Sequence, residues 1–311
     1  MPEGTGSDIS LVCVGNLTID EALYGGDRGT PALGGDAAYA ALAARLFTDN
    51  VTMLAPVGYD VPRELLIALR EAGVSTDDLP VRDRATIRNV ITYHGDGSRT
   101  WDMLSTEEDF DLLSVYPSDV PESALRANGI VLSAMSLDSQ LALTPWLKQK
   151  SAARLYLDLQ EDYLEGNRAA LNAMIACCDV FLPSEIEAVA LAGTTDVVAA
   201  AQRFRSLGPR SVVIKRAERG SLVVEEERVV EVPTTVTDAV DSTGAGDAFC
   251  GAFAAVHLLT GDAVTAARAG TRAAQVAISA FGVNALVAAA RQVQQSGRTL
   301  APAALDEGSS R

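Results

Sequence analysis

The run Asp241-Ser242-Thr243-Gly244-Ala245-Gly246-Asp247-Ala248-Phe249 carries an acid from a glycine-rich turn into the first turn of an apolar, alanine-rich stretch. Gly244 and Gly246 permit tight turning and close approach, and the unpaired N–H groups of a helix start favour an anion. Asp247 would stand beside that anion hole, where a carboxylate can take a proton from an alcohol. Phosphoryl transfer needs an activated acceptor, charge compensation on the moving group and exclusion of water. Asp247 suits the first role, the N–H groups of Gly244, Ala245 and Gly246 the second, and a β hairpin predicted over about 84–104 the third. A Gly-rich turn with Ser, Thr and Asp can also be a plain capped helix entrance. The whole succession through Ala248-Phe249-Cys250-Gly251 is what points to chemistry.

Competing site patterns fail on their own residues. A P-loop needs a Gly-Lys pair, and the chain has none. A dinucleotide fingerprint would follow the first strand, but Val14-Gly15 leads into Asn16-Leu17-Thr18. No Gly-x-Ser-x-Gly elbow occurs, and the two histidines, His94 and His257, fall in the hairpin and inside an apolar helix. Cys13, Cys177, Cys178 and Cys250 show neither Cys-x-x-Cys nor Cys/His ligand spacing and are expected reduced and buried.

The elements that must hold these residues follow from composition and periodicity. The chain has 311 residues, 48% hydrophobic and 21% charged, with 25 basic against 41 acidic side chains and a net charge of −16. That is globular, and it disfavours nucleic acid or an anionic membrane as partner. Residues 1–8 lack a signal peptide's basic start and apolar run, and no apolar stretch is long enough to span a bilayer, so a cytoplasmic protein is expected. Strands are predicted at 9–14, 51–57, 129–133, 155–158, 180–182 and 211–215. Helices are predicted at 36–47, 61–71, 138–150, 167–177 and 185–207. Such alternation predicts a mainly parallel sheet covered by helices on both faces. The hairpin at 84–104 and the short piece within 18–33 read as lid segments, the latter as a strand or a loop, so a small, reduced β lid is expected. Residues 296–311 read as a flexible tail on a single domain spanning 1–311.

Several segments occur in the order found in one enzyme family. Gly34-Gly35 opens the helix from Asp36; Pro56-Val57-Gly58-Tyr59-Asp60 precedes a helix and Ala72-Gly73-Val74; Ser184-Glu185-Ile186-Glu187 and Arg219-Gly220 follow later strands. With the Asp241–Asp247 run, the chain resembles the ribokinase (PfkB) carbohydrate kinases from about Val12 to Gly282. The resemblance implies a three-layer α/β/α ribokinase-like body and ATP- and Mg2+-dependent transfer to a hydroxymethyl group of a sugar or sugar derivative. Alternatives are a nucleoside kinase of the same fold and an inactive ligand-binding homologue.

Carried onto this chain, the resemblance puts Asp247 as general base over the Gly244-Ala245-Gly246 anion hole. Asp20, Gly34, Gly35, Asp36 and Tyr39 fall at the sugar, while Lys215, Ala217, Glu218, Gly220, Gly244, Gly246 and Gly282 fall at ATP. Glu187 and Asp158 would serve Mg2+ through water, and Asp241 and Thr243 with Gly282 resemble a loop holding a monovalent cation such as K+. Asp20 also suits a loop or cap, Asp36 the N-cap of a helix from Ala37, and Glu187 an ordinary helix-start acid. Thr18, Asp36 and Tyr39 depart from the ribokinase pattern and unsettle ribose as substrate, and Ser184 stands in place of the Asn of the motif that organises magnesium and phosphate. A homodimer through the β lid is the remaining partner expectation.

Overall fold

The computed structural model describes residues 9–94, 99–226, 228–235 and 239–302. β1 (Ser10–Val14) leads into three lid strands, β2 (Thr18–Tyr24), β3 (Asp27–Arg28) and β4 (Ala32–Gly34), before α1 (Asp36–Arg45) returns along the body. β5 (Asn50–Leu54), β6 (Val57–Gly58), α2 (Arg63–Glu71), β7 (Val74–Ser75) and β8 (Val81–Arg82) follow. The hairpin β9 (Ile87–Tyr93) and β10 (Arg99–Met103) completes the lid and is followed by α3 (Glu107–Leu112) and α4 (Glu122–Leu125). Then β11 (Gly129–Leu132), α5 (Leu137–Lys150), β12 (Arg154–Leu157), α6 (Arg168–Ile175) and β13 (Val180–Phe181) alternate. Two helices, α7 (Glu185–Ala192) and α8 (Val197–Arg205), precede β14 (Ser211–Lys215), β15 (Ser221–Val224) and β16 (Val229–Val232). The described chain closes with α9 (Ala245–Thr260), α10 (Ala263–Ala277) and α11 (Asn284–Ser296).

The main sheet has the order β16-β15-β14-β13-β12-β11-β1-β5-β7, parallel from β14 to β7 with β15 and β16 antiparallel at one edge. Along β1, Leu11 and Cys13 face a core shared with α1, α2, α9, α10 and α11, while Val12 and Val14 face a second core shared with α5 to α8. This period-2 split makes three layers. Small residues set the depth of the first core. A Cβ at Gly251 of α9 would lie 1.9 Å from the Ala40 carbonyl oxygen of α1, so the two helices cross almost backbone to backbone.

The sheet changes direction of growth at β1, with β5 on one side and β11 on the other. That crevice, at the carboxyl ends of the strands, is where open α/β sheets bind ligands. The lid lies over it as a five-stranded sheet, β10-β9-β2-β3 with β4 also on β2. The 18–33 piece therefore supplies strands, of which β3 and β4 are only two and three residues long. The hairpin tip at 95–98 and the tail from 303 lie outside the described residues.

Two boundaries depart from expectation. The predicted helix 185–207 is two helices, because Gly193 takes φ 67° and ends the first, and Asp196 caps the second through the N–H groups of Val198 and Ala199. The predicted strand 51–57 stops at Leu54, and Val57–Gly58 pairs instead with β8. Among the described residues no helix is long and apolar enough to cross a membrane.

Candidate active site

Gly244 is the N-cap of α9 at φ 72°, a conformation costly for any residue with a Cβ, and Asp247 follows in the first turn. Asp241, 3% exposed, pins the turn: its Oδ1 accepts from the Thr243 N–H at 3.0 Å and Thr243 Oγ1 at 2.8 Å. That pair therefore has a local structural role alongside the cation contact expected of it. Among the described residues the N–H groups of Gly244 and Gly246 have no protein partner, whereas that of Ala245 turns back to the Ser242 carbonyl at 3.4 Å. The N–H groups left open at this turn are thus those of the two glycines and not that of Ala245.

Asp247 faces a cavity of about 490 Å³, together with Thr18, Asp36, Tyr39, Asn89 and Asp158. Burial and then the negative charge of Asp158 raise the Asp247 carboxyl to about 6, while Lys215 and its own N–H pull the other way. A carboxyl at that value is mostly ionised at neutral pH and can still take up a proton. Asp36 caps nothing, since Gly35 is the N-cap of α1 and no side-chain bond is made there. Its carboxyl is instead held well above the usual range by burial and by Asp247, Asp158 and Asp20, against the pull of Lys215.

Asp20 is 1% exposed and stands behind the cavity wall. Thr18 Oγ1 and Asn89 Nδ2 each donate to its Oδ1 at 2.8 Å, and Gly34 packs directly on the other oxygen. Burial raises its carboxyl to about 6 against those two hydrogen bonds. Tyr39, 1% exposed, borders the cavity, and its buried hydroxyl has no hydrogen-bond partner among the described residues.

A second cavity of about 320 Å³ lies on the other side of the α9 entrance, lined by Lys215, Ala217, Glu218, Gly220, Gly246 and the apolar Phe249, Ala274 and Ile278. Gly246 borders both cavities, so they meet at the helix N-terminus. Ala217 is the one described non-glycine residue with positive φ, 49°, in the turn that brings this strand end round. Gly282 does not line this cavity. The turn containing it is held to the lid strand β4, where Val283 N–H donates to the Leu33 carbonyl at 3.1 Å and Gly282 abuts Ala32.

Between the cavities Lys215 is ion-paired to Asp158 Oδ2, and its Nζ lies 3.5 Å from Cys250 Sγ. Burial alone would lower this ammonium, but Asp158, Cys250 and Glu187 outweigh it and raise it. Glu187 completes a capping box at α7: Ser184 N–H donates to its Oε2 at 2.7 Å, and Glu187 N–H to Ser184 Oγ at 3.2 Å. It is nonetheless 7% exposed and raised to about 7 by burial and by Asp158, so it belongs to the same charge cluster. Among the described residues no three His, Cys, Asp or Glu side chains gather as a metal centre. Two carboxylates that can act through water, with room for phosphate oxygens, suit the way Mg2+ binds beside a nucleotide. The histidines stand apart. His257 is lowered to about 4 by burial and meets the Tyr156 hydroxyl at 3.2 Å, and His94 is exposed on the lid.

Comparison with known proteins now bears on this arrangement. The pattern of the pfkB family carbohydrate kinases matches residues 8–290. The chain belongs to that family. Within it, the chain is 30% identical over 252 residues to a cytidine kinase of Thermococcus kodakarensis, covering 79% of this chain and 88% of that one. It is 28% identical over 236 residues to a deoxyribokinase of Salmonella typhi, covering 74% and 76%. A solved E. coli structure, a putative ribokinase II in complex with ATP and Mg2+, superposes with a TM-score of 0.77 at 20% identity, covering 93% of this chain and 99% of that one. This pfkB chain therefore has the ribokinase-like fold, and its relatives are kinases of sugars and of nucleosides.

Several cavity residues escaped the sequence reading: Asn16, Asn89, Trp101, Met103, Glu107, Phe110 and Tyr163. Some signals existed. Trp101 and Met103 alternate on one strand, and Glu107 and Phe110 are three apart on one helix.

Proposed function

We propose that this chain transfers the γ-phosphoryl group of ATP to a primary alcohol of a sugar or nucleoside, with Asp247 as general base. One observation carries the reading: Asp247 faces the acceptor cavity at the helix N-terminus where that cavity meets a second, nucleotide-sized one along Gly246. The names of the relatives support both acceptor classes, and the ATP and Mg2+ of the E. coli structure support the nucleotide and the metal.

Asp247 accepts the hydroxyl proton as the alcohol oxygen attacks. The N–H groups of Gly244 and Gly246, aided by the positive end of α9, stabilise charge on the transferring group. Lys215 supplies a fixed cation at the junction, where several carboxylates otherwise leave the field strongly negative. Mg2+, when bound, neutralises phosphate oxygens, and Asp158 and Glu187 are the side chains that would hold it. The lid strands cover the acceptor and keep water out.

Asp247→Asn tests the reading, because it keeps the shape and removes the base. Turnover, measured as ADP release, is expected to fall at least about 1000-fold, with calorimetric ATP affinity within about threefold of wild type. Undiminished turnover would remove Asp247 from the mechanism.

A further inference from the structure

Within the phosphotransfer reading, on which this inference rests, the acceptor cavity is chemically divided. Part of its lining is polar, with Asp247, Thr18, Asn89 and Tyr39, whose buried hydroxyl has no hydrogen-bond partner among the described residues. Elsewhere its wall is built from Trp101 and Met103 of β10, Phe110 of α3 and Tyr163. Trp101 keeps 47% and Met103 37% of their surface exposed, apolar area that a bound partner would cover. A bare pentose or hexose presents hydroxyls all round and gains little there, whereas a flat ring gains stacking and burial.

Carboxylates contribute to the lining as well. Glu107, Glu161 and Asp162 line the same cavity. After burial, the charges of Glu107 and Asp162 push the Tyr163 hydroxyl up to about 12. An ionised carboxylate only accepts hydrogen bonds and repels other anions, so this wall welcomes N–H donors and opposes carboxylate or phosphate groups.

We propose that the acceptor is a nucleoside whose base carries an exocyclic amine. Its sugar meets Tyr39, Thr18 and Asn89, its base lies against Trp101, Phe110 and Tyr163, and the amine donates to Glu107. Anionic sugars, whether phosphorylated or acidic, are rejected by Glu107, Glu161 and Asp162.

The test compares acceptors that differ in one group. ADP release is measured with cytidine against uridine, adenosine against inosine, ribose, and fructose 6-phosphate, and binding of each is measured by calorimetry on the Asp247→Asn variant. In at least one nucleoside pair the amine member is expected to exceed its carbonyl partner about tenfold in kcat/KM, and ribose about 100-fold. Trp101→Ala should raise KM for that nucleoside about tenfold with little change in kcat. Glu107→Gln should narrow the amine preference at least about threefold, since the amide no longer only accepts. A preference for ribose or fructose 6-phosphate overturns the proposal, as does a Trp101→Ala and Glu107→Gln pair that leaves discrimination unchanged while both variants melt like wild type. If nucleoside binds in a Trp101-dependent way but no acceptor yields ADP, base recognition stands and phosphotransfer falls. If sugars alone are turned over, the reverse holds.

Discussion

Two glycines in one turn separate stability from chemistry. Gly244 sits at φ 72°, and an ideal Cβ there would lie 2.4 Å from three ring carbons of Tyr39, itself 1% exposed and unable to swing aside. Alanine in the left-handed region costs roughly 1–2 kcal/mol, and forcing a methyl into a packed ring costs roughly 1–3 kcal/mol more. Gly244→Ala should therefore lose roughly 2–5 kcal/mol, a fall in Tm of roughly 4–10 °C at about 2 °C per kcal/mol for a chain of this size. Gly246, two residues on, has no positive φ, and its Cβ would meet only the Lys215 side chain, at 3.4 and 4.0 Å, ordinary van der Waals distances. Gly246→Ala should hold or gain stability, by up to about 1 kcal/mol from helix propensity. Its methyl, however, would project from the wall common to both cavities. Blocking one donor to the transferring group should lower kcat about 100-fold or more. Urea midpoints and ADP release on both variants give the comparison. Equal stability losses, or a Gly246→Ala enzyme with wild-type kcat, would refute the placement of the phosphoryl group at Gly246.

The buried carboxylate of Asp20 gives a pH signature. Its value of about 6 in the fold against an ordinary 3.8 means the folded chain keeps a proton that the unfolded chain has released. The stability from this group is full below about pH 4 and is lost as pH rises through about 6. Asp20→Asn keeps an acceptor for Thr18 and Asn89 and does not titrate, so it should gain roughly 3 kcal/mol over wild type at pH 8 and almost nothing at pH 4. A pH-independent offset in urea midpoints would refute this. Lys215→Met removes the cation paired to Asp158 beside Glu187. It should lower kcat at least about 100-fold and raise the acid limb of kcat/KM, because Lys215 favours the ionised Asp247. A kcat within threefold of wild type would make Lys215 a structural counter-charge only.

What the sequence made legible follows from how far apart the cooperating residues lie. Asp247, Gly244 and Gly246 share one turn, so their geometry is written in consecutive letters, and the structure sets them at one helix start. Lys215 was legible as a strand end, but not its pairing with Asp158, which depends on β12, β13 and β14 lying side by side. Asn89 is further removed. It reaches Asp20 only because β9 pairs in parallel with β2 in a register that sets Asn89 opposite Asp20, a contact across 69 residues with no local signature. The same register carries the hairpin that brings Trp101 and Met103 to the cavity. Glu187 shows the converse: one carboxylate closes a capping box and also joins the buried charge cluster, so the two readings of a helix-start acid were never exclusive. The end of this site proposed to react is therefore encoded locally, while the end proposed to select the acceptor is encoded in lid register. Substitutions in β2 or β9 that shift that register should change which acceptor is used before they change how the phosphoryl group is moved.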